Sequence, residues 1–518
     1  MQALHINGND LTLEDVREVA CERRPVLLLA EARAAVERAR SVVDHLVENE
    51  IVAYAVNTGV GHLADLHIPL HDVQKLQLNL IRSHCVGVGE PLAQDVTRAM
   101  MLLRANSLAK GFSGVRPLVI DILCEMLNRS VHPVVPSQGS VGASGDLAPL
   151  AHLALGMIGE GEVMHDGKRM PAATAMKKAE ILPLEPQAKE AISLINGTQG
   201  MLAVGILAVL EAEVLADAAD VIGALTLDAL KGTDVAFDER IQNARPHSGQ
   251  VLVARNLRRL LEGSLIRESH LQCQKVQDAY SLRCMPQVHG AVRDTLAHCR
   301  HVFEVEMNSA VDNPLVFSEE RKVGATRRPA GVALPGVILS GGNFHGQPLA
   351  FALDFMAIAL SGLAGISERR LERLVNPALN EGLPAFLAPG AGLNSGFMLP
   401  QVTAAALVNE NKVLSHPASV DSITTSGNKE DYVSMGMTSA NKLLRIVANT
   451  RNVLAIEAMA AAQGHYFRAP LETSKRGQIA LSAIRAVVSP VTVDRVFSPD
   501  IAKLSALIAS GKLGEALR

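Results

Sequence analysis

Apolar and polar positions recur along most of the chain with helical spacing. Residues 26–48 carry Ala, Leu and Val on one side and Glu and Arg on the other, the pattern of an amphipathic helix. Thr12, with Asp15 three residues on, marks a helix start with a partial capping box. Further helical runs are expected at 72–83, 92–110, 115–128 and 147–157. "GEVMHDGKRMP" (161–171) reads as a small hairpin before a short helix. Residues 187–230 read as one long helix, with the polar island "NGTQG" (196–200) inside it; Asn and Gly are poor helix residues, so the island is an anomaly. Long, mostly apolar helical patterns return at 286–309, 346–375, 401–415 and 436–463. Several are apolar on all sides, which predicts burial by partner subunits as well as by the chain itself. "ERKVGATRRPAGVALPG" (320–336) reads as an exposed loop. The expected fold is mainly α, a long helix bundle with small β elements in the N-terminal region.

Length and composition sharpen this picture. At 518 residues the chain exceeds the size at which a single core stops growing. The expected division is an N-terminal region, 1–200, and a long-helix region, 201–518. Aromatics are 3% of residues, so Ala, Leu, Val, Ile and Met must build the core. A formal net charge of −4 gives no electrostatic case for nucleic acid or an anionic membrane. The six cysteines show no CxxC and no zinc spacing, and the opening "MQALHINGNDLTLEDV" has no signal-peptide pattern; reduced thiols in a cytoplasmic protein are expected. Leu349 to Ile366 comes closest to a membrane span, but Asp354 and two glycines interrupt it, and a core helix is the better reading. His62, His67 and His71 cluster, but Pro69 breaks their one i,i+4 pair and no carboxylate spacing completes a site, so no metal is expected.

The candidate chemistry centres on "GSVGASGDLAP" (139–149). It can be a plain helix entry, with Asp146 as cap and Pro149 in the first turn. It can be an anion cradle, although neither GxxxxGK[ST] nor GxGxxG is present. It can hold a serine nucleophile, although GxSxG is absent. Or it can react with itself. The Gly145 nitrogen attacks the Ala143 carbonyl carbon, and that oxygen leaves as water. The Ser144 hydroxyl leaves as a second water, giving an electrophilic methylidene-imidazolone. Glycine lets its nitrogen approach, alanine is small, and serine supplies a β-hydroxyl that can leave.

The surrounding motifs favour the last reading. "YAVNTGVG" (54–61), "NLIRSHCVGVGEPL" (79–92), "GSVGASGDLAPLAHLALGMIGEG" (139–161), "LINGTQ" (194–199), "KVQDAYSLRCMPQ" (275–287), "DNPLVF" (312–317), "SGGNFHGQP" (340–348), "LNSGFM" (393–398) and "NKEDYVSMG" (428–436) span nearly the whole chain. In these segments it resembles the aromatic amino-acid ammonia-lyase family. The resemblance implies an autocatalytic methylideneimidazolone made from Ala143, Ser144 and Gly145, with no metal. It also implies a helical fold like the aspartase/fumarase lyases, a small amino-acid substrate, and a homotetramer whose sites are shared between subunits.

Eliminating ammonia from an α-amino acid needs an electrophile for the amine and a base for the β-proton. By the resemblance Tyr54 is the base, on a glycine-rich loop able to act as a lid. A phenol in that role needs donors or positive charge nearby. Arg283 would clamp the substrate carboxylate as a bidentate fork. Tyr280 and Gln277 would line the pocket, Asn196 would hydrogen-bond near the prosthetic group, and Phe344 would pack against its ring. His84 and Glu430 address the substrate: a carboxylate and a histidine suit a polar ring with an N–H, and would leave a phenyl ring facing an unpaired charge. The pair points to histidine-type members, with urocanate as product. Ala55 and Val60 replace the usual Gly and Phe of the first loop, and Lys429 replaces the usual Gln, bringing a cation beside Glu430. A tyrosine or phenylalanine lyase, a 2,3-aminomutase, and an inactive helical scaffold remain as alternatives.

Overall fold

A computed structural model of the chain describes residues 1–318 and 335–518. Most of the 320–336 loop expected from sequence lies outside the described residues. Among the described residues helices dominate, and nine short strands form four small sheets. The described residues make two compact units. The first comprises Met1–Leu207, Arg300–Leu353 and Ala418–Asn441; the second comprises Ala208–Cys299, Asp354–Pro417 and Lys442–Arg518.

The first unit starts with β1 (Leu4–Ile6), α1 (Leu13–Cys21), β2 (Val26–Leu28) and α2 (Ala30–Glu48). Thr12 and Asp15 close a full capping box on α1: the Thr12 hydroxyl accepts from the Asp15 amide, and the Asp15 carboxylate accepts from the Thr12 amide. The amphipathic run expected at 26–48 is therefore a helix only from Ala30. Its first three residues pair in parallel with β1, because the buried Leu4 and Ile6 need a partner strand. α3 (Val73–His84), β3 (Val88–Pro91), α4 (Gln94–Ala109) and α5 (Pro117–Asn128) follow. α4 is buried from Val96 to Ala109, including Arg98, Arg104 and Asn106, and is the core helix of this unit. β4 (Val131–Pro133) and β5 (Pro136–Gln138) lead to α6 (Leu147–Met157). The expected hairpin is present as β6 (Glu162–His165) and β7 (Lys168–Pro171), and α7 (Ala172–Lys178) follows it.

The long helix expected at 187–230 is two helices. α8 (Glu190–Ile195) ends at Asn196, whose backbone is extended (φ −93°, ψ 110°), and α9 (Gln199–Ala229) starts after Thr198. The polar island is thus the break itself. One further strand pair, β8 (Leu315–Phe317) with β9 (Val337–Leu339), lies outside the N-terminal region where strands were expected.

The second unit holds most of the long helices. Met285–Met307, Gln347–Val375, Met398–Leu414 and Gly436–Arg468 match the apolar runs expected from sequence. Ser248–Leu261, Lys475–Val487 and Ser498–Ala509 are shorter helices that the reading did not resolve. Gln347–Val375 is long and apolar enough to cross a membrane, with a mean hydropathy of 2.0, but 56% of that window is buried inside the chain. Asp354 within it is buried and paired with Lys442 at 3.0 Å. The unit's centre is a polar cluster with no exposure. Arg370 grips Glu457 through Nε (2.6 Å) and Nη2 (2.8 Å), Thr226 and Ser367 also donate to Glu457, and His289 bridges Asp220 and Arg370. Cys21, Cys85, Cys124, Cys273 and Cys284 are free thiols.

Candidate active site

The tripeptide Ala143-Ser144-Gly145 lies in a turn that only glycine can close. Gly145 has φ +69°, and a Cβ there would stand 2.0 Å from the Gly197 carbonyl oxygen. From the other side, Gly197 faces Arg104 and Gln199, 2.6 Å and 2.5 Å from where its own Cβ would be. The break between α8 and α9 is thus pressed directly against the tripeptide. The Asp146 amide donates to the Gly197 carbonyl at 2.6 Å, and Asn196 Nδ2 donates to the Ser144 carbonyl at 2.8 Å.

Asp146 does not cap its own helix. Its carboxylate accepts from the Met201 amide (2.8 Å) and from Ser140 Oγ (2.9 Å), so it ties the start of α9 to the tripeptide loop. Burial pushes its carboxyl up to about 6, against the pull of the Met201, Ser140 and Gly200 donors. The helix-entry reading named the right residue and the wrong helix.

A cavity of about 360 Å³ opens on Ser144. Tyr54, His84, Asn196, Phe344 and Glu430 line it with Ser144, as do Val60, Gly61 and Asn313. Ala143 and Gly145 flank Ser144 in the chain, and Ala143 is buried. Six candidates from well-separated segments therefore meet in the first unit. Tyr54 Oη accepts from the Gly61 amide at 3.3 Å, which orients the phenol at the mouth of its glycine-rich loop. His84 Nδ1 meets the Leu80 carbonyl at 2.8 Å. A carbonyl only accepts, so Nδ1 carries hydrogen, and in the neutral ring Nε2 is left as an acceptor. Ser144 Oγ donates to Glu430 Oε1 at 2.8 Å, and Thr425 Oγ1 donates to Glu430 Oε2 at 2.8 Å. Lys429 is exposed and makes no ion pair with Glu430 among the described residues.

Gln277, Tyr280 and Arg283 do not line this cavity; they belong to the second unit. Gln277 is exposed, Tyr280 is 71% exposed, and the Arg283 guanidinium stacks over the Tyr280 ring at 4.5 Å. Asn313 lines the cavity without having been singled out from sequence, although "DNPLVF" contained it. Its amide holds Ser340 and Gly341, just ahead of Phe344. Among the described residues no group of three or more His, Cys, Asp or Glu is placed to hold a metal ion.

Comparison with known proteins decides the family. The aromatic amino acid lyase family model matches residues 11–486. The chain belongs to the aromatic amino acid lyase family. It is 70% identical to a histidine ammonia-lyase of Koribacter versatilis over the full length of both chains. Among solved structures it is similar to a histidine ammonia-lyase from Trypanosoma cruzi (42% identical, TM-score 0.90, covering 100% of this chain and 95% of that one). It is also similar to a tyrosine aminomutase from Streptomyces globisporus (38% identical, TM-score 0.91, covering 99% and 98%). This family member is a carbon–nitrogen lyase with a mainly helical fold.

Proposed function

We propose that the chain eliminates ammonia from L-histidine to give trans-urocanate, using a methylideneimidazolone formed from Ala143, Ser144 and Gly145. One observation carries the substrate: His84 and Glu430 line the same cavity as Ser144. An imidazole offers an N–H to one of these acceptors and a ring nitrogen for a donor, and a phenyl ring offers neither.

The residues around the tripeptide fit the group. The Cβ-free faces of Gly145 and Gly197 allow the close approach that ring closure needs, and the Asn196 amide sits on the oxygen that becomes the ring carbonyl. Once formed, the group supplies an electrophilic carbon that makes the substrate amine a leaving group. The side chains do the rest. Tyr54 Oη takes the β-proton, and the Gly61 amide holds that oxygen in place. Asn196 Nδ2 holds the Ser144 carbonyl oxygen. Phe344 walls the cavity and excludes water.

Among the described residues the cavity lining holds no lysine or arginine to receive the substrate carboxylate. Arg283, with Tyr280 and Gln277, would supply that contact from another copy in a homotetramer with shared sites. The exposure of Gln277 and Tyr280 supports this reading, and so does the resemblance that first suggested it.

Offering L-His, L-Tyr and L-Phe tests the proposal. Urocanate and ammonia from L-His alone are expected. Coumarate from L-Tyr, or a β-amino acid, would move the assignment to the tyrosine lyases or the aminomutases. Glu430→Gln should lower kcat/KM for histidine by about 10- to 100-fold, because it removes the carboxylate facing the imidazole N–H. Unchanged histidine kinetics would refute that role.

A further inference from the structure

α4 carries a charge where a core helix should have none. Arg104 has no exposure, and among the described residues it forms no ion pair. Burial pulls it down to about 10, so it remains a cation at neutral pH. Asp312 is the carboxylate whose field reaches it, but Asp312 is taken up by Lys189 Nζ (3.5 Å) and Ser113 Oγ (3.1 Å). Two buried cations thus share one carboxylate. A core position filled only for packing would be better served by Leu or Met, because replacing buried charge with apolar bulk is often neutral or stabilising.

The contacts of Arg104 show where its charge is directed. Nη1 donates to the Asn196 carbonyl at 2.7 Å and Nη2 to Ser107 Oγ at 3.2 Å, while Nε makes no hydrogen bond among the described residues. The Asn196 carbonyl belongs to the break between α8 and α9, where the helical ladder no longer holds it. The guanidinium therefore holds the Asn196 carbonyl, while the next carbonyl, that of Gly197, accepts from the Asp146 amide and the Asn196 side chain donates to the Ser144 carbonyl.

We propose that Arg104 is a positioning residue for the tripeptide site: it fixes the Asn196 carbonyl and so aims the Asn196 amide at the Ser144 carbonyl oxygen. The proposal rests on the prosthetic-group reading above. Two dehydrations are involved. In the first, Gly145 N bonds to Ala143 C, and the Ala143 oxygen leaves as water with the amide hydrogens of Gly145 and Ser144. In the second, the Ser144 Cα hydrogen and Oγ hydroxyl leave as water, and a carbon–carbon double bond forms. As the Cα proton departs, negative charge builds on the Ser144 carbonyl oxygen, the atom to which Asn196 Nδ2 donates. A fixed donor stabilises that charge without reorganising. Arg104 keeps the donor fixed through a neighbouring contact, as outer-shell residues do around a catalytic group.

Purified wild type, Arg104→Met and Arg104→Lys are compared by mass of the peptide containing 143–145, by circular dichroism, and by kcat and KM. Wild type should be lighter by two waters. Folded Arg104→Met should carry a largely unmodified tripeptide and, per modified site, show a kcat about 10- to 100-fold lower with little change in KM. Arg104→Lys keeps charge and one donor and should fall between them. If Arg104→Met does not fold, Arg104→Lys decides. A folded variant with a fully dehydrated tripeptide and wild-type kcat overturns the role of Arg104. An unmodified tripeptide in wild type overturns the prosthetic-group reading instead.

Discussion

Replacing Asp146 by Asn should flatten one component of the stability–pH curve. Asp146 is completely buried, and burial places its carboxyl near 6 in the folded chain, against an ordinary value of 3.8. Between those values the folded protein holds a proton that the unfolded chain has released. The contribution is thus complete below about pH 4 and is lost as pH rises through about 6. At ~1.4 kcal/mol per pH unit the gap is worth about 3 kcal/mol. Asn fits the site without titrating. Its Oδ1 can accept from the Met201 amide, and its Nδ2 can donate to Ser140 Oγ, which already accepts from the Gly142 amide. Urea unfolding of both proteins at matched concentration, stepped from about pH 4 to about pH 7.5, reads the difference directly. Relative to Asp146→Asn, wild type should lose about 3 kcal/mol across that range. A difference that stays constant with pH would refute the placement of a titrating carboxyl at the head of α9.

Other perturbations have equally definite outcomes. Asn196→Ala removes the 2.8 Å donor to the Ser144 carbonyl and should lower kcat about 10²- to 10³-fold with KM little changed in steady-state assays; an effect on KM alone would contradict the assignment. Glu457→Ala strands Arg370 in a fully buried cluster and should cost about 3–5 kcal/mol in denaturant unfolding, with a loss below about 1 kcal/mol counting against the cluster as a structural centre.

Much of the fold was legible because long apolar helices announce themselves by spacing. Where the expectation failed, a short segment answered to something distant. Val26–Leu28 continues the amphipathic pattern of α2, yet it pairs with Leu4–Ile6, and a strand partner is invisible to helical periodicity. Residues 187–230 look like one helix because apolar residues flank the island. The chain breaks there because Gly197 must press on Gly145 and Asn196 must reach Ser144. The candidates around Ser144 could be named through ordered motifs, and the cavity shows which of them meet. Arg104 stayed hidden for the opposite reason: an arginine in "MLLRAN" looks like the solvent side of an amphipathic helix, and only the burial of all of α4 from Val96 onward removes that option. The helix that Asp146 serves could not be read from its neighbours at all, since its partner Met201 lies beyond α8.

The mass of the peptide spanning positions 143–145, taken from enzyme whose activity on L-histidine has been measured in the same preparation, bears most directly on the account. A peptide lighter than its sequence by two water molecules is predicted. An unmodified Ala-Ser-Gly peptide from protein that still releases ammonia would contradict it.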